Sequence, residues 1–221
     1  MSPCARKAIE ECQVIIGYNT YIKLLGDLAC NNKEIISSGM TEEIERAKLA
    51  IKKARNGKRV CVISSGDPGV YGMAGLILEL LKKNDPNELK IEIIPGVIAA
   101  TACASLLGAP LMHDFAVISL SDLLTDLELI ERRVESAAKA DFVVVLYNPK
   151  SVRRVIPFQK ACDIMLKYRS ANTPVGIVRN AYRYNQMATV ATLKDLPSFK
   201  KIDMATTIII GNSKTYVKHG Y

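Results

Sequence analysis

The strongest chemical signal in the sequence is the segment 64–72, which reads Ser-Ser-Gly-Asp-Pro-Gly-Val-Tyr-Gly. It joins a strand predicted over 59–63 to an apolar helix predicted over 73–83. Its glycines and proline let the backbone approach a ligand closely, and the helix directs its unpaired N–H groups at the loop. Asp67 adds a carboxylate for a hydroxyl or a cation. A tight turn without a ligand has the same composition, so other segments must decide between the two interpretations.

The composition is that of a globular protein with an apolar core. Hydrophobic residues make up 49% of the 221 residues and charged residues 24%. No apolar run approaches the ~20 residues that span a bilayer, and residues 1–7 lack the apolar core of a signal peptide. We therefore predict a cytoplasmic protein that does not enter membranes. The net charge of +8 would suit nucleic acid, an anionic membrane or a polyanionic small molecule.

Cysteine and histidine usage argues against a metal centre. The six cysteines show no CxxC pair, and the two histidines, His113 and His219, are too few for a centre with three histidine ligands. In a reducing compartment such cysteines behave as small buried hydrophobes. We predict neither a disulfide framework nor a metal site.

Alternating strands and helices predict a parallel sheet in the first half of the chain. Strands are expected over 13–17, 33–37, 59–63 and 90–95, and helices over 7–12, 41–56, 73–83 and 99–107. Thr41 is the expected N-cap of the second helix. The break at residues 108–111 divides an N-terminal α/β domain (1–109) from a C-terminal α/β domain (110–221), with a cleft between them.

The second half predicts a mixed sheet. Strands are expected over 115–120, 141–147, 174–179, 186–192 and 205–210, and helices over 121–140 and from the Asn148-Pro149 turn to about Tyr168. Ser121 or Asp122 could cap the first of these helices. Little helix separates the last three strands, so the last two are expected to pair as antiparallel neighbours.

Three motifs in order, at 66–72, 94–100 and 206–211, resemble those of the tetrapyrrole methylases. The resemblance implies two α/β domains that bind S-adenosylmethionine between them, and a homodimer. The segments 113–115, 118–124 and 146–151 are similar to the branch that methylates C17 of precorrin-3B or cobalt-precorrin-3, with ring contraction, in cobalamin biosynthesis. Family members begin with a strand that ends in a Gly-x-Gly-x-Gly loop. This sequence starts just after that point, so the first strand is expected to be missing.

The resemblance also implies a set of cofactor contacts. They are Gly66, Asp67, Val70, Tyr71, Ile98, Ala99, Tyr147, Asn148, Asn180, Ala181, Thr206 and Thr207. Methyl transfer from a sulfonium needs the acceptor held in line at near-attack distance more than it needs covalent help. Small residues at 99–101 would leave room for the cofactor, although close packing of a helix on a sheet requires them equally.

A tetrapyrrole acceptor carries acetate and propionate carboxylates, which gives the positive charge a partner. The expected substrate-binding residues are Lys150, Arg153, Arg179 and Arg183, and Arg154 follows the same turn as the first two. Ring contraction requires proton movement, for which His113 is the candidate general acid or base, with Asp114 and Ser121 as companions. A structural histidine and a helix-capping serine are the alternative interpretations.

Two other functions stay open at this stage. A sister methylase would act at another ring carbon, on uroporphyrinogen, or on ribosomal RNA or diphthine precursors; the Asn148-Pro149 turn and residues 119–124 argue against it. A non-catalytic basic RNA-binding protein is the other alternative. The sequence has no arginine-rich face or known RNA-binding signature, so we expect no nucleic-acid partner.

Overall fold

The computed structural model describes residues 1–29, 32–81, 89–152 and 154–220. The chain divides into two compact units, Met1–Ile98 and Ala99–Tyr221. This division precedes the helix Ala99–Ala104, whereas the boundary predicted from the sequence follows Ala109. The difference arises because that helix packs against the last strand of the second unit.

The first unit contains a parallel sheet with helices, as predicted, but within the described residues the sheet has three strands where the sequence predicts four. Its elements are α1 (Pro3–Glu11), β1 (Val14–Tyr18), α2 (Asn19–Lys23), β2 (Glu34–Ser38), α3 (Glu43–Arg55), β3 (Val60–Ile63) and α4 (Met73–Leu80). The strand order is β2-β1-β3, and β1 pairs in parallel with both neighbours. Side chains of β1 alternate between two core clusters: Ile15 packs with Ile9 of α1, while Val14 and Ile16 pack with Ala50 of α3.

The second unit contains the mixed sheet. Its elements are α5 (Ala99–Ala104), β4 (Phe115–Ser119), α6 (Leu127–Lys139), β5 (Val143–Tyr147), α7 (Ile156–Tyr168), β6 (Pro174–Arg179), β7 (Met187–Thr192) and β8 (Thr206–Ile210). The strand order is β4-β5-β8-β6-β7. Only β4 and β5 are parallel, and the other pairs are antiparallel. The predicted mixed sheet is thus confirmed.

The predicted pairing of the last two strands is wrong. Strand β8 lies between β5 and β6, and β7 pairs with the other side of β6. All five residues of β8 are buried, whereas β7 alternates between partly buried and exposed positions. The fully buried strand therefore takes the central position, and the amphipathic strand takes the edge.

The strand predicted over 90–95 is absent, since the structure assigns no strand within 89–98. Ile91 and Ile93 are exposed. Their alternation with charged residues satisfies strand propensity, but a strand forms only where a neighbour supplies a hydrogen-bonding edge. Pro95 cannot donate to such a ladder.

Helices α1, α3 and α6 start at other residues than the sequence predicts. Ser2 Oγ accepts the Ala5 N–H at 3.2 Å, so α1 starts at Pro3, before the predicted residue 7. Thr41 does not cap α3, because it adopts φ 66° and the cap residue is Glu42. Helix α6 begins at Leu127 and not at Ser121.

Among the described helices, none combines the length and the apolar character that crossing a bilayer requires.

Two adjacent residues of α7 test the packing of the second unit. Met165 is fully buried in the main core cluster, whereas Leu166 is 37% exposed. We expect Met165→Ala to lower the free energy of unfolding by about 2–5 kcal/mol and Leu166→Ala by about 1 kcal/mol or less, as measured by urea denaturation. The reverse order would show that the helix packs in another register.

Candidate functional site

The glycine loop (residues 64–72) is held by the Asp67 carboxylate. Oδ1 accepts the N–H of Gly69 at 2.8 Å, and Oδ2 accepts the N–H of Gly96 at 2.9 Å. These two backbone N–H donors lower the pKa of Asp67 from its usual value, and the bond from Gly96 has a larger effect than the bond from Gly69. Both carboxylate oxygens thus have an internal partner, which ties the glycine loop to the turn that follows Pro95.

Glycine is required where these two segments meet. A Cβ on Gly96 would lie 1.9 Å from the carbonyl oxygen of Gly66, and Gly66 itself has φ 69°. A Cβ on Gly72 would lie 2.5 Å from the carbonyl oxygen of Pro68. The glycines therefore permit close contact between backbone segments within this unit.

The rest of the glycine loop leads into α4. The N-cap residue of α4 is Gly72, and Ser64 Oγ accepts the N–H of Met73, the first residue of the helix, at 3.1 Å. Tyr71 is 59% exposed and has φ 52°, a left-handed conformation that costs a non-glycine residue energy and that is concentrated at functional sites. Of the predicted contacts in the first unit, Gly66, Tyr71 and the half-buried Val70 belong to this loop.

Sequence reasoning missed Arg46, a buried cation of the first unit. Its Nε donates to Ser38 Oγ at 2.8 Å, its Nη2 donates to the Gly39 carbonyl at 2.7 Å, and its Nη1 lies 3.8 Å from Met73 Sδ. Arg46 therefore links the loop after β2 to the start of α4. The available signal was its position beside Ala47 on the apolar side of α3.

In the second unit, six of the predicted cofactor contacts lie at one edge of the sheet, where β4, β5 and β6 end and β8 begins. Ser119 pairs with Tyr147 at the ends of β4 and β5, and Arg179 at the end of β6 pairs with Thr206 at the start of β8. The contacts at this edge, called the site edge below, are Tyr147, Asn148, Asn180, Ala181, Thr206 and Thr207. The carboxyl ends of parallel strands are where α/β proteins commonly bind ligands.

Helix α5 is fixed to the site edge by two polar contacts. The N–H of Ala100 donates to the Tyr147 hydroxyl at 2.6 Å, and Ala100 is fully buried. Burial raises the pKa of the Cys103 thiol, which a hydrogen bond with the Thr207 side chain opposes. Small residues on α5 thus allow close packing on β8, and Ala99 begins the helix at this edge. Ile98 is the last residue of the first unit.

Left-handed residues are concentrated at the turns that leave the site edge. Asn148 has φ 51°, Asn180 φ 52° and Tyr182 φ 56°. The Asn148 amide donates to Ser119 Oγ at 3.0 Å, and the Asn180 N–H donates to the Ala205 carbonyl at 3.1 Å. Asparagine tolerates this conformation better than most residues. Tertiary contacts therefore hold a strained backbone where the cofactor is expected.

The three predicted catalytic residues are not brought together. His113 and Asp114 are exposed and precede β4, whereas Ser121 follows its end. At roughly 3.3 Å per residue, a five-residue strand separates them by about 16 Å. Ser121 does not cap α6, because the N-cap residue of that helix is Asp126; the Ser121 N–H donates to Ser119 Oγ at 3.2 Å.

Two of the predicted substrate-binding cations, Lys150 and Arg179, have internal partners for their charged groups. Lys150 Nζ lies 5.8 Å from the centre of the Phe158 ring, and Arg179 Nε donates to Asp203 Oδ2 at 2.8 Å. The N–H of Arg183 donates to the Asn180 carbonyl at 2.9 Å. Arg153 lies outside the described residues.

The cysteines are mostly buried and the described ones form no disulfide. Burial raises the pKa of Cys61 and of Cys162 to about 12, which makes both thiols poor nucleophiles. Cys12 and Cys103 are also buried, Cys4 is exposed, and Cys30 is not among the described residues. Within the described ranges, no group of three His, Cys, Asp or Glu residues could hold a metal ion.

A separate cavity of about 390 Å³ lies where the strands of the first sheet begin, away from the glycine loop. Its lining includes Cys12, Lys33, Lys58 and Arg59.

Comparison with known proteins gives consistent matches. The sequence profile of the family described as Tetrapyrrole (Corrin/Porphyrin) Methylases matches residues 1–197. A Priestia megaterium protein named "Cobalt-factor III methyltransferase" is 54% identical over 96% of this chain, which spans only 39% of that relative's length. A Salmonella typhimurium protein named "Probable cobalt-factor III C(17)-methyltransferase" is 45% identical, and the alignment covers 98% of this chain and 88% of the relative.

Solved structures share the fold. The crystal structure of the methyltransferase CobJ superimposes with a TM-score of 0.93 at 32% identity, covering all of this chain and 92% of that one. A uroporphyrin-III C-methyltransferase from Thermus thermophilus, solved with S-adenosylhomocysteine, gives a TM-score of 0.70 at 21% identity, covering 96% of this chain and 90% of that one.

The contact between Gly66 and Gly96 makes a sharp mutational prediction. We expect Gly96→Ala to lower the midpoint of thermal unfolding, because the new methyl group would collide with a backbone oxygen. Gly75→Ala is the matched control: nothing lies within 4 Å of its added Cβ, and alanine favours helix α4. Equal midpoints for the two variants would contradict the close contact.

The lowered pKa of Asp67 predicts a pH dependence. A carboxyl whose pKa falls on folding adds stability above its unfolded pKa, and this contribution is lost as pH falls through the folded value. We expect wild type to exceed Asp67→Asn in unfolding free energy at pH 7, and the difference to shrink below about pH 4. Urea denaturation across this range measures it, and a difference that grows on acidification would contradict the assignment.

Proposed function

Because this chain belongs to the tetrapyrrole (corrin/porphyrin) methylases, we propose that it transfers a methyl group from S-adenosylmethionine to C17 of a corrin precursor, with ring contraction, in cobalamin biosynthesis. The observation that carries the proposal is the convergence of strand ends, left-handed asparagines and threonines at the site edge. The cobalt-containing substrate is favoured over the metal-free one, since both relatives described above carry cobalt-factor III in their names.

The residues at the site edge fit S-adenosylmethionine. The left-handed turns at Asn148 and Asn180 directly follow strands β5 and β6, both residues are partly exposed, and Ala99 and Ala181 add no bulk. We infer that these residues, with Tyr147, Thr206 and Thr207, hold the adenosine part of the donor. When bound, the donor supplies an electrophilic methyl group on a sulfonium. In the first unit, the glycine loop with Gly66, Asp67, Val70 and Tyr71 is the second proposed set of contacts, together with Ile98.

The chain's own contribution is alignment. Buried strands hold the ends of β5 and β8 rigidly, so groups at the site edge lose little entropy when they orient a ligand. A flexible binding loop would lose more conformational entropy when it orients a ligand, and this loss would reduce the rate gain that alignment gives. The Asp67 contacts do the same for the glycine loop, because both carboxylate oxygens fix its backbone.

Acceptor carboxylates are assigned to the basic residues Lys150, Arg153, Arg179 and Arg183. Arg179 suits this role, because its pair with Asp203 uses Nε and leaves the terminal nitrogens to face an anion. Asp203 also orders the turn before β8 by accepting the N–H of Ala205 at 2.9 Å. The Arg179–Asp203 pair would therefore hold the guanidinium in a fixed orientation.

The length of β4 separates the residues that are candidates for the proton step. Ser121 follows the carboxyl end of β4, near Asn148, whereas His113 and Asp114 precede the strand. We propose that Ser121 acts on the side of the donor, and that His113 with Asp114 can act only on a part of the acceptor that lies well away from the site edge.

The resemblance also implies a homodimer, and we propose this oligomeric state, which sedimentation velocity measures.

Methyl transfer tests the proposal directly. The chain is incubated anaerobically with S-adenosylmethionine carrying a ¹³C-methyl group and with either cobalt-factor III or precorrin-3B. We expect one added methyl group by mass, at C17 by NMR, and faster transfer to the cobalt substrate. Methylation of uroporphyrinogen instead would identify a sister methylase. Salt-dependent RNA binding without any S-adenosylhomocysteine binding would favour the RNA-binding alternative.

The Tyr147 hydroxyl offers a focused prediction. Tyr147→Phe leaves the buried N–H of Ala100 without its acceptor, so we expect the unfolding free energy to fall by about 1–3 kcal/mol and S-adenosylhomocysteine to bind more weakly. Calorimetric titration measures the affinity. Tyr184→Phe, an exposed tyrosine of the same unit, is the control and should change neither quantity. Unchanged affinity in Tyr147→Phe would remove this residue from the site.

A further inference from the structure

Arg154 is a nearly buried cation at the site edge, with 11% of its side chain exposed. Its Nη1 donates to the carbonyl of Leu120, and its Nη2 donates to the carbonyl of Asn148 at 3.1 Å. Nη2 also lies 3.1 Å from Met204 Sδ, and Nε lies 3.8 Å from Asp122 Oδ1. One guanidinium thus joins the loop after β4, the turn after β5 and the turn before β8.

This arrangement differs from the role that the sequence suggests. Arg154 follows the Asn148-Pro149 turn beside Lys150, where a carboxylate-binding arginine is expected. In the structure its donors are directed at the protein's own carbonyls and at Asp122. A planar fork that spans two carbonyls holds them at a fixed separation, which a lysine cannot do.

The two carbonyls belong to residues that need support. Asn148 is left-handed, and its side chain already bonds to Ser119, so Arg154 fixes the same residue from its carbonyl. Leu120 is fully buried, and its carbonyl would lack this partner without the guanidinium. Loss of Arg154 would therefore release Asn148 and the start of the 120–122 loop together.

We propose that Arg154 is a positioning residue for methyl transfer, which holds Asn148 and the 120–122 loop in the geometry that receives the methyl donor and which does not bind the substrate itself. The inference rests on the proposed function, since it assigns the donor to the site edge.

Arg169 provides a matched control in the same unit. Its side chain is 6% exposed, its Nη1 donates to the Ala138 carbonyl, and its Nη2 donates to the Phe142 carbonyl at 3.2 Å. It also lies 3.2 Å from an Asp141 carboxylate oxygen. The two carbonyl contacts match those of Arg154, but Phe142 precedes β5, so Arg169 acts at the end of the strand opposite the site edge.

The test compares Arg154→Met and Arg169→Met in the full chain. Both should lower the midpoint of thermal unfolding, because each removes a nearly buried guanidinium that bonds to two carbonyls. Below those midpoints, hydrogen exchange should accelerate at residues 119–126 and 147–152 only in Arg154→Met, and at residues 138–143 only in Arg169→Met. The Kd for S-adenosylhomocysteine should rise about tenfold or more in Arg154→Met and less than about twofold in Arg169→Met.

Arg154→Lys keeps the charge and loses the fork, so an intermediate Kd is expected for it. Equal rises in Kd for the two methionine variants, or an Arg154→Met that binds as wild type does, would overturn this inference alone. Wild type that fails to bind S-adenosylhomocysteine would overturn both the proposed function and this inference. A Kd that rises in Arg154→Met while exchange at 147–152 is unchanged would overturn the positioning role.

Discussion

The central position of β8 between β5 and β6 is the constraint on which the candidate site in the second unit depends. Because β8 runs antiparallel to both neighbours, its first residues lie beside the last residues of β5 and β6. Thr206 and Thr207 thereby reach the edge where Tyr147, Asn148 and Asn180 leave the sheet. If β8 paired with β7 instead, these groups would be distributed along different edges. Its five buried residues, Thr-Thr-Ile-Ile-Ile, stabilise the central position.

Charged side chains in this protein mainly organise its backbone. Asp67 binds two backbone amides, Arg46 binds the Gly39 carbonyl, and Arg154 joins two strand-end loops. Each of them lies next to glycines or left-handed residues whose conformations cost free energy. We infer that these internal contacts offset that cost and hold the backbone in place before a ligand binds. The protein can thus present shaped backbone to a donor that needs alignment more than charge.

Local patterns predicted most elements, because a short apolar strand or an amphipathic helix requires only nearby residues. Strand β8 and helix α7 are predicted in this way, and six of the cofactor contacts that the resemblance implies lie at the site edge. Pairing was harder. Residues 90–95 have strand propensity without a neighbour that completes a ladder, and β7 and β8 are consecutive in sequence but separated by β6.

Roles that depend on distant backbone partners could not be predicted. Asp67 contacts Gly96, 29 residues away, and Arg154 contacts Leu120, 34 residues away. Nothing in the residue types distinguishes a carboxylate or guanidinium that faces a ligand from one that faces a carbonyl. His113 was singled out for its intrinsic pKa, but only the direction of β4 separates it from Ser121.

We propose that the methyl donor binds residues of the site edge and of the glycine loop. Backbone amide NMR of the uniformly ¹⁵N-labelled chain, titrated with S-adenosylhomocysteine, tests it most directly. We expect saturable shift changes at Asp67, Tyr71, Asn148, Asn180 and Thr206, with little change at the start of the first sheet. Shift changes confined to Lys33, Lys58 and Arg59, around the separate cavity, would contradict it.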